Sequence, residues 1–386
     1  MSASTSAPTI ALLPGDGIGR ELAEACGPLL RELTPKVTWL EAEVGWECWR
    51  RDGDSVSAAT WEACRAADAV LLGAITSKPA PQAEAELASH LQGKGLEYRS
   101  PTVQLRRGLD LFANVRPVEA RDGSFRFMVV RENTEGMFGH DLGVEDLERL
   151  PGLMSLLSDD TTVREANPEE IAVSLRVTTG FGWRRLLRVA AKLAKRSRGV
   201  VTVADKPNVL PQTGAVLVKA VSDVQAEFPD VQFVMENADA VAMRMVTEPE
   251  RYDVIAAENL IGDMLSDLGA GLGTGLGVAP SASYGTRMGL FEPVHGSAPD
   301  IAGQGIANPV AFLLSAALCF EHVGEDAAAA RLRVAVESVV QRGLSGDGKC
   351  VTFDLGGVAT TAEMIAEIRK MLELSSSKCE PSPLKR

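Results

Sequence analysis

The sequence lacks the features of several protein classes. Its six cysteines contain no C-x-x-C pair and no histidine at zinc-finger spacing, which argues against a zinc finger and indicates reduced thiols in a cytoplasmic protein. Basic residues number 39 against 52 acidic ones, and the net charge of −13 disfavours a general nucleic-acid or anionic-membrane binder. No apolar run reaches the roughly 18 residues needed to span a bilayer. The N-terminus has neither the basic flank nor the apolar core of a signal peptide.

Alternating strand and helix patterns cover most of the 386 residues and predict an α/β fold with a largely parallel sheet. Buried strands are expected at 9–14, 69–73, 125–131, 171–177, 200–204, 231–235 and 254–257. Helices are expected at 20–33, 183–195, 214–228 and 259–268, with two or three more between 308 and 341. The acidic stretch 143–166 is expected to form a subdomain arm or a long surface loop, and the tail 375–386 to be disordered.

Two glycine-rich stretches miss the dinucleotide fingerprint G-x-G-x-x-G. The first begins Gly15-Asp-Gly17 and has Arg20 at the third glycine position. The second begins at Gly271 and has Leu276 at its sixth position. A standard Rossmann fingerprint is therefore absent, and each stretch is more typical of a structural turn than of a ligand loop.

Arginines end two apolar runs of strand length. Arg116 follows Leu111-Phe-Ala-Asn-Val, and Arg131 follows Phe127-Met-Val-Val. An arginine at such a place holds a carboxylate bidentately or forms a structural ion pair, and the residues alone leave both alternatives open.

Carboxylates occur at spacings that suit a cation. Asp263 and Asp267 lie one turn apart on a predicted helix whose neighbours are apolar, so a divalent cation with oxygen ligands, Mg²⁺ or Mn²⁺, is expected between them. Lys206 and Asp239 each follow a predicted strand. A lysine at a strand end, beside a carboxylate and a metal, is a candidate base.

Six longer motifs occur together along the chain. They are Leu13-Pro-Gly-Asp-Gly-Ile-Gly19, Leu105-Arg106 with Leu111-Phe-Ala-Asn-Val-Arg-Pro117, Val130-Arg-Glu-Asn-Thr-Glu-Gly136, Asp205-Lys-Pro-Asn-Val-Leu210, Asn259-Leu-Ile-Gly-Asp-Met-Leu-Ser-Asp267 and Phe291-Glu-Pro-Val-His-Gly-Ser-Ala-Pro-Asp-Ile-Ala-Gly303. In this combination the chain resembles the β-decarboxylating dehydrogenases of the isocitrate and 3-isopropylmalate dehydrogenase family. The resemblance implies two α/β domains that flank a deep cleft, without a standard Rossmann fingerprint. It assigns residues 1–110 and 272–386 to a discontinuous NAD-binding domain, and residues 111–271 to a substrate, metal and dimerisation domain.

The resemblance also implies an activity: the NAD-dependent and Mg²⁺- or Mn²⁺-dependent oxidative decarboxylation of a 3-substituted (2R)-malate to a 2-oxo acid and CO₂. The implied substrate-binding residues are Ser100, Thr102, Arg106, Arg116, Arg131 and Asn208. The implied metal ligands are Asp239, Asp263 and Asp267. Lys206, with Asp239, is implied to assist loss of the hydroxyl proton. In the family, the residues that match Lys206 and Asp239 reach in from the second subunit, so a homodimer with shared active sites is expected.

The cofactor prediction rests on the loop at 295–308. The implied cofactor-binding residues are Thr76, Glu292, His295, Gly296, Ser297, Ala298, Asp300, Ile301 and Asn308. A carboxylate at Asp300 accepts hydrogen bonds from the adenosine ribose and repels the 2′-phosphate of NADP. NADP-dependent members resemble Lys-Tyr where this chain has Asp300-Ile301, so NAD is predicted, with His295 near the adenine.

Two positions depart from the family pattern. Phe138 stands where the family usually has the tyrosine that protonates the enol carbon, and phenylalanine has no proton to donate. One alternative is that a water, Lys206 or His140 donates this proton instead. The others are that the final protonation is slow, or that the chain is a catalytically weak paralogue. The second departure is Thr179-Gly180, where the family usually reads Thr-Arg. The sequence offers no physical explanation for it.

The C3 substituent of the substrate stays open. Ser100 and Thr102 predict a polar pocket, with Arg99 adding charge, which favours isocitrate or an isocitrate-like phosphonate or homologue. The surrounding motifs are also close to those of 3-isopropylmalate and homoisocitrate enzymes. There are two alternatives to this function: the chain is a non-catalytic regulatory paralogue, or it is a malate or tartrate dehydrogenase of the same family. Neither a nucleic-acid nor a membrane partner is expected.

Overall fold

A computed structural model describes residues 7–120, 122–138, 141–273, 275–346 and 348–377. The strands within these residues are β1 Thr9–Leu13, β2 Thr38–Glu41, β3 Ala69–Leu72, β4 Ala113–Glu119, β5 Arg126–Glu132, β6 Asp141–Leu142, β7 Val173–Ser174, β8 Val200–Asp205, β9 Gln232–Asn237, β10 Val254–Ala257, β11 Pro280–Tyr284 and β12 Gly289–Pro293. The helices are α1 Ile18–Leu33, α2 Trp46–Asp52, α3 Ala58–Ala66, α4 Ala80–Ala85, α5 Pro101–Gly108, α6 Val144–Glu148, α7 Pro151–Leu157, α8 Thr161–Glu165, α9 Gly180–Ala194, α10 Pro211–Glu227, α11 Ala238–Thr247, α12 Asn259–Leu272, α13 Val310–His322, α14 Asp326–Ser345 and α15 Thr361–Ser377.

The chain forms two compact units. Unit 1 comprises Met1–Phe125 and Gly269–Arg386, and unit 2 comprises Arg126–Leu268. The sequence-based boundary at residue 111 differs from this division because β4 pairs antiparallel with β11, which belongs to unit 1. The arginine at position 116, which lies in β4, is therefore a unit 1 residue.

The sheet of unit 1 is covered on both faces. Its strand order is β2-β1-β3-β12-β11-β4, with β11 antiparallel to both neighbours and the other pairs parallel. Because successive side chains of a strand point to opposite faces, Ile10 and Leu12 join a core with α1, α13, α14 and α15. Ala11 and Leu13 join a second core with α3 and α5. Helices on both sides of a mostly parallel sheet confirm the α/β prediction.

Unit 2 contains a second group of parallel strands, in the order β5-β10-β8-β9. Helix α9 packs on β5 and β10, and α11 packs on β8 and β9. Parallel strands place their carboxyl ends along one edge. That edge therefore carries the residues in which β5, β8, β9 and β10 end, and ligands of parallel α/β sheets bind at such an edge.

Three local predictions are corrected by the structure. The strand expected at 171–177 is wrong: only Val173–Ser174 is a strand, because its partner β6 offers just two residues for pairing. The stretch 143–166 forms the short helices α6, α7 and α8. Helix α15 continues to Ser377, so residues 375–377 are helical, and 378–386 lie outside the described residues.

Thr179-Gly180, where the family usually reads Thr-Arg, lies at the start of α9. Thr179 is the N-cap, and its Oγ1 accepts a hydrogen bond from the backbone N–H of Gly182 at 2.9 Å. Gly180 is the first helical residue, three residues earlier than the helix start predicted from the sequence.

Among the described residues, no helix is long and apolar enough to cross a membrane.

Candidate active site

A cavity of about 180 Å³ in unit 1 brings together predicted substrate and cofactor residues. Its walls comprise Ala74, Ile75, Thr102, Arg106, Arg116, Ser281, Glu292, Pro293, Val294, His295 and Gly296. The residues come from α5, β4, β11 and β12 and from the loops that follow β3 and β12. Elements far apart in sequence thus combine two guanidinium groups, one carboxylate and one imidazole around a space large enough for a small acid.

Arg106 and Glu292 form an ion pair in this cavity. The Arg106 guanidinium donates to Glu292 Oε1 at 2.9 Å, and the two side chains are only 12% and 10% exposed. At this low exposure each charge depends on the other for its compensation. A predicted substrate residue and a predicted cofactor residue are therefore partners in this structure, which the sequence did not indicate.

Arg116 is oriented by a buried chain of hydrogen bonds. The amide nitrogen of Asn114 donates to the hydroxyls of Ser281 and Ser283 at 2.6 and 3.0 Å. This orientation leaves Asn114 Oδ1 to accept from Arg116 Nε at 2.9 Å. Sequence reasoning missed Asn114 and both serines. The available signal was a polar residue in the middle of the buried strand β4, since buried polar side chains require partners.

The first glycine motif is a structural turn that supports the predicted cofactor loop. Gly17 has φ of 50°, and a Cβ at this position would collide with the backbone oxygen of Ser297. The next residue, Ile18, donates its N–H to the same oxygen at 2.9 Å. The hydroxyls of Thr76 and Ser297 are hydrogen-bonded to each other at 2.6 Å. Glycine is therefore required here for close backbone approach.

His295 presents a buried acceptor nitrogen on its imidazole ring. Its Nδ1 lies 3.0 Å from the carbonyl oxygen of Gly296, so Nδ1 carries the proton and Nε2 is an acceptor. Nε2 is buried and has no hydrogen-bond partner among the described residues. Burial lowers the pKa of this imidazole, which keeps the ring neutral at physiological pH. A buried acceptor on a neutral ring fits an amino donor such as that of adenine.

The remaining predicted cofactor residues differ in their surroundings. Asp300 is exposed in a turn, and its backbone oxygen accepts from the Gln304 side chain at 2.7 Å, so its carboxylate faces solvent. Ala298 and Ile301 pack against the core of unit 1. Asn308 has both ends of its amide engaged, with Asp354 and with the first N–H of α13. These contacts show what supports the loop; the predicted cofactor roles of the four residues stay predictions.

The segment before Arg106 is less charged than the sequence suggested. Ser100 is the N-cap residue of α5, and Thr102 lines the cavity. Arg99 instead pairs with Glu97 at 3.5 Å, with side chains 74% and 79% exposed. The prediction that Arg99 adds charge to this pocket is wrong, because its guanidinium lies in solvent.

In unit 2, Arg131 near the end of β5 is held on several sides. Its Nε and one terminal nitrogen donate to Asn259 Oδ1 at 3.1 and 2.8 Å. Its other terminal nitrogen pairs with Asp263. The Phe138 ring covers the guanidinium, with 5.2 Å from Arg131 Cζ to the ring centroid. His140, the alternative proton donor considered above, lies outside the described residues.

Lys206, the candidate catalytic base, and Asp239 contact each other within one chain. Lys206 Nζ lies 2.6 Å from Asp239 Oδ2, and the side chains are 33% and 66% exposed. The lysine partner lowers the pKa of Asp239. Asn208, in the turn after Lys206, is exposed.

Two of the three predicted metal ligands lie one turn apart on α12 and fit a hard cation. No group of three histidine, cysteine or acidic side chains suited to a metal occurs in the described part of the chain. Asp263 and Asp267 project from α12 one turn apart, with Asp263 33% exposed, and supply the oxygen donors that Mg²⁺ and Mn²⁺ take. A cation at Asp263 would compete with the Arg131 guanidinium. Asp239, the third predicted ligand, is paired with Lys206.

A further buried cation at the same strand edge was missed by sequence reasoning. Arg176 donates to both carboxylate oxygens of Asp205, the last residue of β8, at 2.9 and 3.0 Å. Its Nε lies 3.9 Å from Glu258 Oε2. The sequence placed Arg176 inside a predicted strand, where nothing distinguished it from a solvent-facing side chain.

Known proteins share this architecture. Residues 9–368 match the family model described as isocitrate/isopropylmalate dehydrogenase. The chain is 40% identical over 366 residues to protein DlpA of Legionella pneumophila, a match that covers 94% of the chain but 58% of DlpA. It is 40% identical over 372 residues to the isocitrate/homoisocitrate dehydrogenase of Thermus thermophilus, covering 94% and 99% of the two chains. The crystal structure of isocitrate dehydrogenase from Methylococcus capsulatus matches with a TM-score of 0.78 and 35% identity, over 95% and 99% of the two chains.

Proposed function

Because the chain belongs to the isocitrate/isopropylmalate dehydrogenase family and is a decarboxylating dehydrogenase, we propose that it converts a 3-substituted (2R)-malate to a 2-oxo acid and CO₂ with NAD and Mg²⁺ or Mn²⁺. The observation that carries this proposal is the cavity of unit 1. Arg106 and Arg116 line it from the predicted substrate set, and Glu292 and His295 line it from the predicted cofactor set. Clustered guanidinium groups suit a carboxylic acid, and a neutral buried imidazole suits a nucleotide base.

The arginines bind the carboxylates of the substrate in this proposal. Arg116 presents its guanidinium in an orientation that Asn114 determines. Arg106 is paired with Glu292 in this structure, so a substrate carboxylate takes the place of that partner. Arg131 is nearly buried and keeps its direction through Asn259 and Phe138. Guanidinium groups held in this way lose little conformational freedom when they bind a carboxylate.

Lys206, with Asp239, assists loss of the proton from the substrate hydroxyl. Lys206 Nζ lies 2.6 Å from Asp239 Oδ2 and is one-third exposed, so that in its neutral amine form it can reach a substrate and accept this proton. NAD bound along the loop 295–308 would supply the acceptor for the hydride from C2, and a divalent cation held by Asp239, Asp263 and Asp267 would supply Lewis-acid stabilisation of the charge that develops as CO₂ leaves. Phe138 cannot supply the proton that C3 then takes up, so water, Lys206 or His140 is the donor.

NAD is the proposed cofactor because of Asp300. Its carboxylate is exposed on the loop that follows β12, three residues after the hydrogen-bonded hydroxyl of Ser297. A negative charge at this place disfavours the extra phosphate of NADP and accepts from free ribose hydroxyls.

A homodimer is the proposed assembly. Unit 2 exposes large apolar side chains of the kind that interfaces cover; these are Val209 62%, Val218 49%, Met243 58%, Val246 56% and Met264 66% exposed. Several of them lie on α10, α11 and α12, the last of which carries Asp263 and Asp267. A second copy that covers this surface would bring its own Asp239 and Lys206 to complete the site.

The C3 substituent is the least defined part of the proposal. Thr102 offers a hydroxyl and Ile75 an apolar surface to the cavity. Since Arg99 is in solvent, an anionic substituent has less support here than the sequence suggested. Isocitrate, homoisocitrate, a phosphonomethyl-malate and 3-isopropylmalate therefore all belong in the test, together with malate and tartrate.

The test is turnover by the purified protein alone. NADH formation is followed by absorbance and CO₂ release is measured, with NAD or NADP, Mg²⁺ or Mn²⁺, and each of these acids. The Lys206→Met variant is the matched control, since it keeps the length of the side chain and removes the amine. The proposal expects strong NAD-dependent turnover of one acid, CO₂ in equal amount, and loss of turnover in the variant. Substrate-induced thermal stabilisation without any NADH would contradict it and indicate a non-catalytic paralogue.

A further inference from the structure

Arg176 connects three segments of unit 2. It lies between β7 and Val177, whose backbone forms an antiparallel bridge with Gly136. From there its side chain reaches the strand ends of β8 and β10, where it meets the carboxylates of Asp205 and Glu258. The three side chains are 13%, 1% and 6% exposed. One buried cation thus compensates two buried anions, which would repel each other without it.

Both carboxylates lie next to groups that the proposed reaction uses. Asp205 directly precedes Lys206. Glu258 directly precedes α12, and its Oε1 accepts from the N–H of Ile261 at 2.9 Å, in the first turn of the helix that carries Asp263. The Arg176 guanidinium therefore contacts the chain at both points where these two segments leave the sheet edge.

We propose that Arg176 is a positioning residue that holds the Lys206 segment and the start of α12 in the geometry required for decarboxylating oxidation. The proposal rests on the function proposed above. In the dimer, Lys206 serves the partner's site whereas Asp263 serves its own, so one Arg176 affects both sites. The planar guanidinium is essential to this role, because one terminal nitrogen contacts both oxygens of Asp205 while Nε faces Glu258, whereas a lysine offers a single point charge. Small displacements of reacting groups lower the reaction rate strongly.

The test is Arg176→Lys, which keeps the charge and removes the second nitrogen, so that the side chain no longer faces Asp205 and Glu258 together. The control is Arg188→Lys, because Arg188 also pairs with a carboxylate, donating to Glu227 through two nitrogens at 2.7 and 2.6 Å, but lies on the surface of unit 2. Glu258→Gln is a second variant, which retains an acceptor for Ile261 and removes the charge that faces Arg176. Measurements are kcat and KM for the best substrate, thermal unfolding, and Mn²⁺ affinity by direct titration of Mn²⁺ alone.

The expected result is a split between kcat and KM. Arg176→Lys lowers kcat by about tenfold or more and leaves the substrate KM within about threefold, since Arg106, Arg116 and Arg131 are untouched. Glu258→Gln weakens Mn²⁺ binding by about tenfold, as expected for loss of an outer partner of a metal-bearing helix. Arg188→Lys leaves kcat, KM and the Mn²⁺ affinity within about twofold.

Two results would overturn the inference. In the first, Arg176→Lys is less stable to heat, yet its kcat and Mn²⁺ affinity equal those of the wild type, which would make Arg176 a purely structural ion-pair residue. In the second, kcat falls equally in Arg176→Lys and Arg188→Lys. A wild type that neither turns over any substrate nor binds Mn²⁺ would instead refute the proposed function, and the inference with it.

Discussion

Replacing Phe138 tests whether this ring supports Arg131 or merely fills the place of a tyrosine. The Arg131 side chain is 5% exposed and Phe138 is 43% exposed, with 5.2 Å between Cζ and the ring centroid. Asn259 holds two nitrogens of the guanidinium edge, so the ring is one of the contacts on its face. Phe138→Leu removes that aromatic face and admits water.

The expected cost follows from the exposure of the two groups. A cation–π contact contributes about 0.5–1 kcal/mol when exposed and about 2 kcal/mol when desolvated. With the cation nearly buried and the ring half-buried, a value of about 1 kcal/mol is expected, which corresponds to about a fivefold rise in substrate KM. Phe138→Tyr keeps the ring and leaves KM within about twofold. It raises kcat if the protonation of C3 limits the rate, because it restores a donor hydroxyl.

Steady-state kinetics on the best substrate would check this prediction. The matched control is Phe181→Leu, because Phe181 stacks in the same way on Arg185, with 5.0 Å from Cζ to the ring centroid, and Arg185 is outside the predicted substrate set. Phe181→Leu should not change KM. If Phe138→Leu also leaves KM unchanged, the reasoning that the ring supports the carboxylate clamp is wrong.

Two further predictions concern cofactor choice and stability. Asp300→Asn should lower the preference for NAD over NADP by about tenfold, measured as the ratio of kcat/KM values, because the variant removes the charge that repels a 2′-phosphate; an unchanged ratio would refute this role. His322 packs against the rings of Tyr284 and Phe291, and burial lowers its pKa below the ordinary value. The unfolded chain therefore takes up the proton first as the pH falls, so stability from this group is complete above about pH 6.5 and is lost below it. Denaturant unfolding of His322→Gln should accordingly show a smaller loss of stability between about pH 7.5 and about pH 5 than the wild type, and equal losses would contradict the assignment.

Local patterns in the sequence determined most of the secondary structure. Helix and strand periodicity depend on neighbouring residues, so α9, α10 and β8 to β10 were found close to their observed bounds. The strand predicted at 171–177 failed because strand formation also depends on a partner, and β6 has only two residues to offer. The motifs around residues 131, 206, 263 and 295 carried the family and the reaction class, since the spacing of reactive groups along a chain is a property of the sequence.

The pairing of charges was decided by the tertiary structure. Arg106 and Glu292 are 186 residues apart, and only the close packing of α5 beside β12 makes them an ion pair. The same is true of Arg176, which looked like any strand residue until the fold brought Asp205 and Glu258 to its guanidinium. Charge pairing over such separations depends on which strand ends become neighbours, and no local pattern encodes that. The sequence by itself therefore determined the fold class and the reactive groups, whereas the tertiary structure decided which of those groups form ion pairs with one another.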